Sequence, residues 1–190
     1  FIKSLRGSDP DAALYWLARM IDSGEDPLFI VRRMVILASE DIGLADSRAM
    51  QVAVATQQAV HFVGMPEGFY PLAHCALYLA TAPKSNSVGR AYGAAMHDVQ
   101  ETRNDAVPLH LRNAPTGLMK NLGYGRDYKY AHDDYAGMDH AGDLPPAEQL
   151  QSYVPDNLRG HSYYDPGAQG EESKLVEWVK QRRARSGRSK

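Results

Sequence analysis

One apolar spacing, i, i+3, i+4, i+7, recurs through the first hundred residues and limits what this chain can become. It runs through Leu14, Leu17, Ala18 and Ile21, then through Val31, Met34, Val35 and Ala38. It returns as Val52, Ala55, Ala59 and Val63, as Leu72, Cys75, Ala76 and Leu79, and as Val88, Ala91, Tyr92, Ala95 and Val99. Each set lies on one side of a helix and needs an apolar surface to cover it. No segment of comparable length alternates with period two, so the expectation is an all-α, compact multi-helix bundle.

Helix boundaries follow from the residues between these stripes. Asp9-Pro10 and Asp26-Pro27 each place a capping carboxylate before a proline in the first turn. Gly24, Gly43 and Gly64 fall where the first three stripes end. Asp46 or Ser47 is placed to cap the third helix, and Ser85 the fifth, after Pro83 stops the fourth. Loops this short make consecutive helices near-antiparallel neighbours.

Beyond about Thr102 the texture changes. Residues 106–168 hold six of the eleven prolines and seven of the eleven tyrosines, with one short helix expected after Asn113. Tyrosines bury large surfaces, so this stretch reads as a wrap over the helices or over a neighbouring chain. The expected organisation is a bundle core over 1–105, an irregular Tyr/Pro-rich wrap over 106–169 packed on the same domain, and a C-terminal helix with a basic tail over 170–190. That last helix is expected from Gly170 to Arg183, with Leu175, Trp178 and Val179 on its apolar side.

Charge and motifs exclude several functions. From Lys174 onward there are seven Lys or Arg against Glu177, a local +6 that leaves −8 for the first 173 residues of a chain whose net charge is −2. A whole-domain grip on nucleic acid is disfavoured, and a tail contact through Lys180, Arg182, Arg183 and Arg185 stays open beside a solvated, frayed end. There is no Gly-x-x-x-x-Gly-Lys-Ser/Thr, Gly-x-Gly-x-x-Gly, Gly-x-Ser-x-Gly or His-Glu-x-x-His, so no catalytic residue and no cofactor site are assigned to this chain. His132-Asp133-Asp134 with Asp139-His140 matches no rigid ligand spacing and reads as a polar loop rather than a metal site. Cys75, the one cysteine, sits at an apolar helical position and reads as core rather than nucleophile. The apolar run Cys75–Ala80 is far too short to span a membrane.

Glu40-Asp41 is more informative. Two carboxylates in the last turn of a helix oppose its dipole, so either they are solvated or a cation answers them. Arg112 or Arg32 is the expected partner. Around Tyr124, Tyr128 and Tyr130 the segment 120–140 sums to −1, a poor phosphate track. Those tyrosines read as interface residues with hydroxyls bonded to backbone.

Several strings together resemble one family. They are IKSLRGSDPDAALYWLARM at 2–20, LASEDIGLAD at 37–46, YLATAPKSN at 78–86, VPLHLRNAPT at 107–116, LGYG at 122–125 and YVPDNL at 153–158. In this order they are similar to the C-terminal region of the replication-associated recombination protein A (RarA, or MgsA) family, AAA+ ATPases related to clamp loaders. Residues 142–147 look like a small insertion in that pattern. The resemblance implies a clamp-loader-collar-like helical region that assembles a homotetramer. It also implies an upstream module carrying ATP and Mg, action at stalled replication forks, and single-stranded-DNA-binding protein and fork DNA as partners. Localisation would be cytoplasmic and nucleoid-associated. With Phe1 first, the chain reads as a piece of a longer protein with no chemistry of its own. Arg112, Tyr124, Tyr128, Tyr130, Glu40 and Asp41 are the interface candidates. The alternative is a module that binds DNA or single-stranded-DNA-binding protein.

Overall fold

A computed structural model describes residues 1–102, 105–134 and 150–187, and among them every regular element is helical. The helices are α1 (Ile2–Arg6), α2 (Pro10–Asp22), α3 (Pro27–Leu37), α4 (Arg48–Val63), α5 (Phe69–Thr81), α6 (Ser87–Glu101), α7 (Gly117–Asn121), α8 (Ala131–Asp134) and α9 (Leu175–Arg185). None is long and apolar enough to cross a membrane among the described residues. The chain divides into two compact units, 1–92 with 164–176, and 93–163 with 177–190.

The first unit is built by the four leading stripes. Asp9 accepts from the amide of Ala12 at 2.9 Å and Asp26 from that of Leu28 at 3.0 Å, so both expected caps form. Ser47, by contrast, makes no side-chain cap, and Asp46 instead accepts from the Arg48 amide at 3.1 Å. The core joins Leu5, Leu17, Ile30, Val31, Met34, Leu37, Ile42, Leu72 and Leu79, all nearly or fully buried. Each such side chain contributes about 1.5–3 kcal/mol on removal from water. Small residues, Ala49 and Ala53 on α4 against Cys75, Ala76 and Ala80 on α5, let these two backbones approach closely.

α3 does not end as an α-helix. Ala38–Ile42 form one wider π turn, followed by a 3-10 turn over Gly43–Ala45. Gly43 has φ +52°, and a Cβ there would meet Val88 Cγ2 at 3.3 Å. Only glycine gives the turn both its dihedral and its closeness to the start of α6. Residues 164–176 return to this region as a strap. At Gly170 (φ +56°) a Cβ would lie 2.1 Å from the carbonyl oxygen of Ala45, so the strap seats there only because no side chain intervenes.

The fifth stripe does not behave as the sequence suggests. α6 buries only Ser87, and Tyr92 and Val99 are 70% and 63% exposed. Beyond its first turn α6 carries an apolar face with no cover among the described residues. In the second unit Thr116, rather than Asn113, caps the short α7 through the Met119 amide at 3.3 Å. The expected last helix begins as a 3-10 turn over Gly170–Lys174 and becomes α9 only at Leu175. Leu175 and Trp178 on its expected apolar side remain exposed.

Candidate functional site

The π turn places Glu40 and Asp41 where α3 ends, and a cation does answer them. It is Arg6, from α1, whose Nε donates to Asp41 at 2.7 Å and whose guanidinium meets Glu40 at 3.4 Å. The hydrogen bond and charge of Asp41 hold the Arg6 guanidinium above its ordinary value. Neither Arg112 nor Arg32 fills that role: Arg32 is exposed, and Arg112 is engaged in the second unit. The sequence pointed away from Arg6 because α1 is a five-residue helix with no periodic stripe.

The Lys84-Ser85-Asn86 segment carries more than a helix start. Lys84 Nζ donates to the carbonyls of Leu79, Ala80 and Ala82 at 2.9, 3.1 and 2.6 Å, satisfying the end of α5. Burial lowers its pKa, partly offset by the charge of Asp41. The amide of Ser85 donates to the Asp41 carbonyl at 2.7 Å. Beside it lies Glu172, a fully buried carboxylate on the strap. Its Oε1 accepts from Ser87 Oγ and, at 2.8 Å, from the Tyr164 hydroxyl. Its Oε2 makes no hydrogen bond of good geometry; Ser85 and the Gly167 amide lie against it and act electrostatically. Burial pushes this carboxyl up, but the surrounding donors outweigh burial and hold it below its ordinary value. In turn Tyr164 is pushed up, first by burial and then by Glu172. Nothing in the sequence separated Glu172 from its neighbour Glu171.

A third polar cluster closes the same unit. The Tyr78 hydroxyl donates to Asp46 at 2.6 Å, with Arg48 3.4 Å from the same carboxylate. Cys75 is fully buried, and burial raises its thiol to about 11, so it is core and no nucleophile at neutral pH.

The second unit holds the remaining interface candidates. Arg112 donates from Nε to the Val107 carbonyl at 2.6 Å and from Nη1 to the Tyr124 hydroxyl at 3.2 Å, and stacks 5.0 Å from that ring. The Tyr124 hydroxyl thus meets a side chain, not the backbone. Tyr128 and Tyr130 are exposed, the latter with its ring 5.0 Å from that of His132. The His161 Nδ1–H and Tyr163 hydroxyl both donate to Asp98, at 2.6 and 2.7 Å. His110 donates to the Ser152 carbonyl at 2.8 Å, and Gln151 pairs with both the amide and the carbonyl of Lys129.

Among the described residues no three metal-ligating side chains come together; Asp139, His140 and residues 142–147 lie outside them. Of the tail candidates, Arg182, Arg183 and Arg185 occupy the last turn of α9, with Lys180 a turn earlier.

The fold and its polar clusters define a helical domain whose bonds position helices, straps and turns. The family model described as the C-terminal region of the MgsA AAA+ ATPase matches residues 7–183, and the chain belongs to that family. It is 49% identical over 175 residues to the replication-associated recombination protein A of Escherichia coli K12, and 48% identical over 175 residues to that of Coxiella burnetii. Each alignment covers 92% of this chain and 37% or 38% of the relative. The ATPase WRNIP1 of Dictyostelium discoideum is 47% identical over 165 residues, 86% of this chain and 18% of that protein. The chain thus spans well under half the length of the curated relatives it matches.

Proposed function

We propose that this chain is the non-catalytic assembly region of a DNA-dependent AAA+ ATPase, and that it holds the subunits together as a homotetramer. One observation carries the reading. Among described residues 93–163 and 177–187, none is buried, although the region includes six tyrosines and several leucines. Leu118 is 70% exposed, and Val107, Leu122, Tyr128, Tyr130 and Tyr153 are exposed with it. Apolar surface on this scale is covered in functional assemblies. The first unit adds Phe62, 90% exposed, and an apolar groove of about 510 Å³ between α2 and α5, lined by Leu14, Leu17, Ile21, Met65 and Phe69.

In the intact protein the ATPase module supplies nucleotide hydrolysis. No residue here fits ATP with Mg, since the chain has no phosphate-cradling loop. The helical region then fixes the spacing of the ATPase modules so that they act together on fork DNA, with single-stranded-DNA-binding protein as partner. Its place is the cytoplasm, at the nucleoid. Light scattering on this chain across a dilution series tests the reading. A mass of four chains that persists on dilution is the expected result; a monomer at every concentration overturns it.

The second reading is a module that contacts DNA or single-stranded-DNA-binding protein. It is favoured by the clustering of Lys180, Arg182, Arg183 and Arg185 at one end of α9.

A further inference from the structure

Three arginines far apart in the sequence line one concave site in the second unit. Arg159, Arg182 and Arg185 meet there with Gln151, Ser152, Val154 and Ser186 around a cavity of about 500 Å³. No carboxylate lines it. Its volume lies within the range of small-ligand sites.

The walls are tied down by side chain to backbone bonds. Gln151 is locked to Lys129 at 3.2 and 2.7 Å, and the Ser152 carbonyl is held by His110. Arg159 follows the 3-10 turn Asp156–Leu158 directly, and its one ion pair, to Asp156 at 2.6 Å, is solvent-exposed. Exposed pairs of this kind are weak and exchange readily for a better anion. Arg182 has no ion pair among the described residues. The last carbonyls of α9, which would repel an anion, are already occupied. The Ser186 amide donates to Arg182 and Arg183, its hydroxyl to Arg183, and the Gly187 amide to Ala184. The negative end of the helix is therefore blunted where the guanidiniums gather.

A guanidinium binds phosphate oxygens through paired N–H donors. A phosphodiester offers one charge and two free oxygens. A terminal phosphate offers three oxygens and close to two charges at neutral pH, which suits three arginines in a carboxylate-free cavity better. We propose that the Arg159–Arg182–Arg185 cavity binds a phosphomonoester, either of a free mononucleotide or of a 5′-phosphorylated nucleic-acid end. This site stands apart from assembly, because its readout is ligand affinity and not mass.

The test compares 5′-phosphorylated and 5′-hydroxyl forms of one fluorescent oligothymidine by anisotropy, with AMP measured by calorimetry, on the whole chain. The expected result is at least about tenfold tighter binding of the phosphorylated end, the size of a charge-assisted hydrogen bond. Arg159→Ala with Arg182→Ala abolishes that preference, while Lys120→Ala, outside the cavity, keeps it. Saturable AMP binding lost in the same double variant also supports the site, and AMP displacing the oligonucleotide identifies the end phosphate as the shared group. Unchanged helicity and mass in the double variant separate loss of ligand from loss of fold or assembly. Equal affinity for both oligonucleotides, together with no AMP binding, overturns the proposal, as does a preference that survives the double variant.

Discussion

The two units of this chain are held in different ways. Residues 1–92 with 164–176 close a core of leucine, isoleucine, valine, methionine and alanine side chains at or near zero exposure. Residues 93–163 with 177–187 bury nothing, and what fixes their backbone is a set of side-chain bonds: Arg112 to Val107 and Tyr124, His110 to Ser152, Asp98 to His161 and Tyr163. Apolar burial is non-directional and large in total; exposed polar bonds are directional and small. The first unit therefore has the means to fold by its own burial. In the second, geometry is specified but little free energy is committed, which is what a surface completed by other chains requires.

The largest expected effect lies in the first unit. Leu72→Ala removes a fully buried side chain from the α5 face and costs about 3 kcal/mol. Denaturation followed by far-ultraviolet circular dichroism should show one earlier transition. A normal midpoint would mean that the bundle core is not what stabilises the fold.

Next comes the strap. Glu172→Ala leaves Ser87 and Tyr164 buried without their acceptor and costs about 3 kcal/mol or somewhat less. Because the Glu172 carboxyl lies below its ordinary value, its ionised form is favoured by folding. That contribution is complete above the ordinary carboxylate range and fades as pH falls through the depressed value. The wild type should lose stability on acidification below about pH 4.5, and Glu172→Gln should lose less over the same range. Parallel acid profiles would sink the assignment.

A substitution in the second unit sharpens the contrast. Arg112→Ala opens the Val107 and Tyr124 bonds, at a local cost of about 1 kcal/mol. Hydrogen exchange should speed up over 107–126 while the denaturation midpoint of the bundle stays in place. Since Arg6, not Arg112, answers Glu40 and Asp41, any loss of assembly in Arg112→Glu would act through this opened loop. A midpoint shift as large as that of Leu72→Ala would erase the distinction between the two units.

What could be read from the sequence follows the same division. Helices α2 to α5 were legible because each carries a stripe that burial enforces and a proline or glycine that marks its end. The π turn, α1 and the strap were not, because their positions depend on contacts between residues distant along the chain: Arg6 with Asp41, Ser87 with Glu172, Gly170 with Ala45. A stripe on α6 was legible too, yet its cover is not in the first unit. Periodicity reports that a face is apolar and is silent on what lies against it. The Arg159–Arg182 cavity was equally hidden, since twenty-three positions separate the two arginines and only Arg182 belongs to a visible basic run.

The smallest effect discriminates best between an ordered second unit and one that waits for assembly. The Tyr163 hydroxyl and then His161 hold the Asp98 carboxyl below its ordinary value. These bonds stabilise the unit above the ordinary aspartate range and are lost as pH falls through the depressed value. Carbon-detected NMR of the Asp98 carboxyl should therefore find a midpoint under 3.8, and Tyr163→Phe should move it upward. Run at a concentration where light scattering reports monomer, the titration asks whether the bonds exist before partners arrive. A depressed midpoint there means that the polar scaffold is pre-formed and assembly only covers it. An ordinary midpoint that drops on assembly means that the scaffold is completed by the neighbouring chains, and the free energy missing from the second unit resides in the interface.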